Sequence, residues 1–91
     1  MIEKRKITDD EARQVRVSLG IDDDKFDLEQ FRLGLEVELE HGSRSPLTDV
    51  THDDLTLTGK IAWAHLNEFP DYYTRLAKLE VEAEVFWAVH K

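Results

Sequence analysis

The sequence predicts an all-α fold, a small bundle of four helices with the third and fourth joined at a Pro70 bend, and three observations predict it. Helix-start signals precede apolar runs, with Thr8 three residues before Glu11 and Asp27 three before Gln30. Apolar residues recur at steps of three and four instead of alternating. Gly20, Gly42 and Pro70 then follow the runs as stop signals. No stretch sustains strand alternation, and no internal repeat or low-complexity segment is present. Ninety-one residues are expected to form a single helical domain, 1–91.

In the first helix, Thr8 is the expected N-cap and Glu11 completes a capping box, with Ile7 and Ala12 as a staple. Ala12, Val15 and Leu19 share a face, and Gly20 supplies the left-handed stop. The following Asp22, Asp23 and Asp24 lack the glycine and terminal glutamate of a calcium-binding loop, so they read as solvated turn and capping residues. The second helix starts at Asp27, with Gln30 closing its box and Phe26 and Phe31 as a staple. Leu28, Phe31, Leu35 and Leu39 form its face, and Gly42 is expected to end it.

"SRSPLTDV" is broken by Pro46 and reads as a loop. Thr51 or Asp53 is expected to cap the third helix, with Val50 and Leu55 as a staple if Thr51 does so. Its face reads Leu57, Ile61, Ala64, and then reaches His65 and Glu68. Pro70 cannot continue the ladder of backbone hydrogen bonds, so the chain bends or restarts there. The fourth helix is expected from about Asp71 to Val89, with Tyr72, Leu76, Leu79, Ala83 and Phe86 in phase.

Composition narrows the function. Twenty acidic against twelve basic residues leave a net charge of −8, which argues against nucleic-acid binding, because that needs cations brought to phosphate. The same surface suits solubility or a basic protein partner. Cysteine is absent, which removes disulfides and thiolate metal sites and suits a cytoplasmic setting. No apolar run reaches the roughly 18–20 residues of a membrane span, and "MIEKRKITDDE" has no apolar core like that of a secretory signal. The glycines are isolated, so no phosphate-binding loop is present, and no serine sits in a glycine-framed elbow. Phe86, Trp87 and Val89 at the end of the last helix suggest burial against a second copy.

Chemistry is concentrated in two histidine–carboxylate pairs. Glu38 and His41 are three apart on the second helix, beside Glu40, and His65 and Glu68 are three apart on the third. Such spacing can aim an imidazole and a carboxylate at one cation, which gives a divalent-metal reading, with iron or zinc as the ion, completed by oligomerisation. The alternative is a solvated histidine favoured by a helix C-terminus in the first pair, and a hydrogen-bonded structural pair in the second. If the second and third helices formed a tight antiparallel hairpin, His65 would lie about 20 Å from His41. One site in one chain therefore needs residues 43–52 to run back along the bundle. Within this reading His65 and Glu68 face a polar pocket closed by Tyr72 or Tyr73 after the Pro70 turn, with Asp71 part of the same polar cluster, and filled by a metal or by a Glu–Tyr–His hydrogen-bond network.

"GLEVELEHG" with "TDVTHDDLTLTGKIAWAHLNEFPDYYTRLAKLE", residues 34–80, resembles an uncharacterised family of short bacterial and phage proteins, a domain of unknown function. Its shared segments are E-H-G, K-I-A-x-A-H-L-x-E and P-D-Y-Y-T-x-L. The resemblance implies a recurring fold and no activity, and it marks Glu40, His41, His65, Glu68, Asp71, Tyr72 and Tyr73 as shared polar positions. "IAWAHLNE" more loosely resembles the encapsulated ferritin-like proteins, which assemble a di-iron site across two chains; their Glu-x-x-His order is inverted here. The sequence therefore predicts a non-catalytic binding module with a His/Glu/Tyr cluster, the metal-binding protein being the alternative.

Overall fold

A computed structural model describes residues 6–22 and 25–90. It contains helices α1 (Asp9–Ser18), α2 (Leu28–Ser43), α3 (Leu55–Glu68) and α4 (Tyr72–Val89), with no strand among the described residues. The start of α1 follows the sequence closely. The Glu11 N–H donates to the Thr8 hydroxyl and the Thr8 N–H donates to the Glu11 carboxylate, each at 3.1 Å. Ile7, Ala12 and Val15 are buried, and Gly20 leaves the helix at φ 70°, a conformation that costs a side-chain-bearing residue more. Asp22 is exposed, while Asp23 and Asp24, expected in the same turn, lie outside the described residues.

Helix α2 is capped by Asp27, whose carboxylate accepts from the Gln30 N–H at 2.9 Å, and the Phe26 and Phe31 rings stack at 6.0 Å. The expected box is only half formed. The Gln30 side chain turns away to α4, donating to the Thr74 hydroxyl at 2.8 Å and accepting from the Tyr73 N–H at 3.2 Å. Nor does Gly42 stop the helix, which runs through Ser43 to a right-handed cap at Arg44. Gly42 is instead covered by the returning loop: a Cβ there would lie 3.4 Å from both Asp49 Oδ1 and Thr51 Oγ1.

The third helix departs most from the sequence reading. Its cap is Asp54, not Thr51 or Asp53, and one carboxylate oxygen accepts from the Thr56 and Leu57 N–H groups at 2.8 and 3.0 Å. His52 and Asp53 adopt left-handed φ values of 49° and 65°, which delays the helix start, and Val50 is exposed instead of stapling Leu55. The buried face is Thr58, Gly59, Ala62 and Leu66, whereas Leu57 and Ala64 are exposed and Ile61 is half-buried. A hydropathy reading follows large residues, but α3 packs through small ones that let neighbours approach. A Cβ on Gly59 would come within 2.5 Å of Val15 Cγ1.

The contacts of α2 with α3 advance in the same sense along both helices: Phe31 beside Gly59, Gly34 beside Ala62, and Glu38 beside His65. An in-register antiparallel hairpin would run the other way, so the separation it implied for His65 from the end of α2 does not arise. Phe69 is extended, as a residue before proline must be, and α4 restarts at Tyr72 beyond the Pro70 bend. On α4 the buried residue is Tyr73, with Tyr72 and Leu76 packed against the core. Every described residue from Val81 to His90 is exposed.

Candidate functional site

Three residues from three helices meet at the edge of the core, where the His65 side chain stays 32% exposed. Glu38 of α2 is 9% exposed, and its Oε2 accepts from the Tyr73 hydroxyl of α4 at 2.8 Å. The same oxygen lies 2.7 Å from Nδ1 of His65 on α3. An ionised carboxylate only accepts, so the ring proton belongs on Nδ1. The Tyr73 oxygen is 3.2 Å from that nitrogen, which closes a triangle. The Tyr72 ring stacks flat on His65 at 4.5 Å, covering one imidazole face, and stands edge-on to Tyr73 at 5.1 Å.

The backbone explains why these groups converge. Tyr73 lies lengthwise along α2: its N–H donates to Gln30, its ring crosses Gly34 and its hydroxyl reaches Glu38. Those three α2 residues are four apart and share one helix face. Any side chain at Gly34 would collide with the ring, since a Cβ there would be 2.5 Å from Tyr73 Cε2. Burial first, and then the negative charge of Glu38, push the Tyr73 phenol far above its usual range. Burial also raises Tyr72, helped by the charges of Glu38 and Glu68.

The residues singled out by sequence are distributed as follows. Glu38, His65 and Tyr73 form the triangle, and Tyr72 covers it. Glu68 lies on the exposed side of α3, and Glu38 makes the tyrosine hydrogen bond expected of it. His41 turns from Glu38 to α4, where its Nε2 is 2.8 Å from Glu80. Glu40 lies near the exposed Arg44 guanidinium at 3.4 Å. Asp71 belongs to the helix start, bonded to Arg75 at 2.8 Å, and that bond holds its carboxyl below the usual range. Among the described residues no three histidine or acidic side chains are grouped so that they could hold a metal ion.

The partners that sequence reasoning missed are Gln30, Gly34 and Glu80. The first two carried a usable signal, because Gln30, Gly34 and Glu38, four apart, make a polar and small stripe beside the apolar Phe31, Leu35 and Leu39 stripe of α2. Glu80 carried none.

The model of one protein family, described as "Protein of unknown function (DUF5661)", matches residues 12–82. No curated protein and no solved structure matches the chain.

Proposed function

The chain belongs to the DUF5661 family, whose description assigns no activity, and on the chain's own geometry we propose a non-catalytic binding module that engages a partner protein through the distal half of α4. One observation carries this reading. Val81, Val85, Phe86, Trp87 and Val89 fall within the last turns of α4 and all are exposed. Apolar surface of that extent is normally covered by something. Glu80, Glu82 and Glu84 lie among them, and the net charge is −8, so the favoured partner is a basic protein. The hydrogen bonds of the Glu38–His65–Tyr73 triangle close on one another, which suits a fastening that fixes where α4 leaves the body.

A photo-reactive residue in place of Phe86 tests the proposal in cells. The expected product is an adduct between this chain and another polypeptide, with binding that weakens as salt is added. Cross-linking confined to the chain's own helices would overturn it.

A second reading is divalent-metal binding, favoured by the carboxylate on Nδ1 of His65. That contact is how metal-ligating imidazoles are commonly oriented, and it leaves Nε2 as the ligand. Residues of another chain would have to complete the site. Iron(II) or zinc added to tag-free protein should then raise the melting temperature, and His65→Ala should abolish the rise. No rise in the parent protein would discard this reading.

A further inference from the structure

We infer that His65 and Glu68 are one half of a zinc site, which a second copy of this chain completes with the same pair about a two-fold axis. The inference rests on the divalent-metal reading above and names the metal and the chain that supplies the missing ligands. His65 is oriented as a ligand. Its Nδ1 is held by Glu38 at 2.7 Å, and its Nε2, on a side chain that reaches solvent, has no hydrogen-bond partner among the described residues. Tyr72 covers one face of the ring at 4.5 Å. The Nε2 lone pair lies in the ring plane, so this stack steadies the imidazole without blocking a metal. Glu68 lies one turn further along α3, exposed and with no hydrogen bond or ion pair among the described residues. Its charge reaches the Tyr72 phenol, which puts the carboxylate beside the His65–Tyr72 stack. At i and i+3 the two Cβ atoms are about 5–6 Å apart, so imidazole and carboxylate can meet on one cation.

Two ligands leave a zinc ion half coordinated, and no third histidine or acid among the described residues is grouped with them. A closed tetrahedral zinc site takes four. A two-fold axis through the ion doubles the pair to two neutral imidazoles and two carboxylates. The two negative charges then balance the ion, so the site adds no net charge where the chains meet. A second copy supplies the matching pair by symmetry, whereas any other protein would need one placed to fit. Four nitrogen and oxygen ligands in a tetrahedron select zinc over iron(II), whose histidine–carboxylate sites keep further positions open. Ala64, small and exposed on the same flank of α3, leaves room for the second helix beside the pair.

Sedimentation equilibrium of the tag-free full chain, with and without zinc chloride, tests this. The expected mass is 10.6 kDa without metal and twice that value with one zinc ion bound per two chains, and a chelator should reverse the change. Glu68→Gln should weaken zinc-dependent pairing at least tenfold and leave the metal-free melting temperature unchanged, because Glu68 is exposed. Glu68→His keeps a ligand at that position and should still pair. His52→Ala and His90→Ala remove exposed histidines elsewhere and should pair as the parent does. Pairing untouched by Glu68→Gln, or lost with His52→Ala, would overturn the site. If zinc raises the melting temperature and His65→Ala abolishes the rise, but the mass stays at 10.6 kDa, the two-copy site fails and the metal reading stands. No rise in the parent protein would end both.

Discussion

Tyr73 and Glu38, 35 residues apart in sequence, share a buried hydrogen bond of 2.8 Å that ties the first turn of α4 to the middle of α2. The bond fixes more than two side chains. Glu38 Oε2 also holds His65, so α2, α3 and α4 are joined at one oxygen atom.

Tyr73→Phe and His65→Ala should therefore each lower stability by about 1–3 kcal/mol, because each leaves a nearly buried carboxylate with one donor fewer. In the hydrogen-bonded reading the His65→Ala loss is the same with or without added metal. Since both donors serve one acceptor, the double variant should depart from the sum of the singles by at least ~0.5 kcal/mol. Urea unfolding of the four proteins checks this. Additive losses would mean that the two contacts act independently.

Gly34→Ala isolates the approach of the Tyr73 ring to α2. On helix propensity alone alanine should stabilise by up to about 1 kcal/mol. Its Cβ would lie 2.5 Å from Tyr73 Cε2 and 3.0 Å from Ala62 Cβ, so overpacking should dominate. The expected outcome is a net loss of roughly 1–3 kcal/mol, part of it recovered when Tyr73→Leu is added. A melting temperature at or above the parent's would show that the ring moves aside freely.

Which parts of this arrangement the sequence reveals depends on whether the signal is local. The Thr8 box, the Phe26–Phe31 staple and the Pro70 bend are short-range chemistry, and each appears where the sequence predicts it. The face of α3 does not, because Thr58, Gly59 and Ala62 are buried for their smallness, which hydropathy does not register. A Glu–Tyr–His network was legible from His65 and the tyrosines beyond Pro70. The acid in it is Glu38 and not Glu68, a choice made by how α2 crosses α3, to which i,i+3 spacing is blind.

The start of α3 gives a local test of the same point. Asp54→Ala should cost about 1 kcal/mol, since its carboxylate accepts from two otherwise unpaired N–H groups. Asp53→Gly removes no cap and suits the left-handed φ of 65° at that position, so it should cost less at that terminus. Thermal unfolding of the two variants compares them directly, and a larger loss from Asp53→Gly would overturn the assignment of the cap to Asp54.

Alkaline pH probes the triangle without mutation. The Tyr73 phenol titrates above its usual range because it is buried and faces the Glu38 charge. In the unfolded chain a tyrosine loses its proton near 10. Between that value and its folded titration point the native state binds the extra proton, so its contribution to stability is fully present below about pH 10 and is lost as pH rises. Tyr72 shifts in the same direction and adds to the effect. The expected result is a loss of urea stability that begins near pH 10, with tyrosinate absorbance from Tyr73 appearing together with unfolding and not before it. Tyr73→Phe has no phenol to ionise at this position, so its stability should fall less steeply over the same range. A parent protein whose two tyrosines both ionise near pH 10 while the helices remain intact would show that Tyr73 is open to water, and the Glu38 bond would then have to be abandoned.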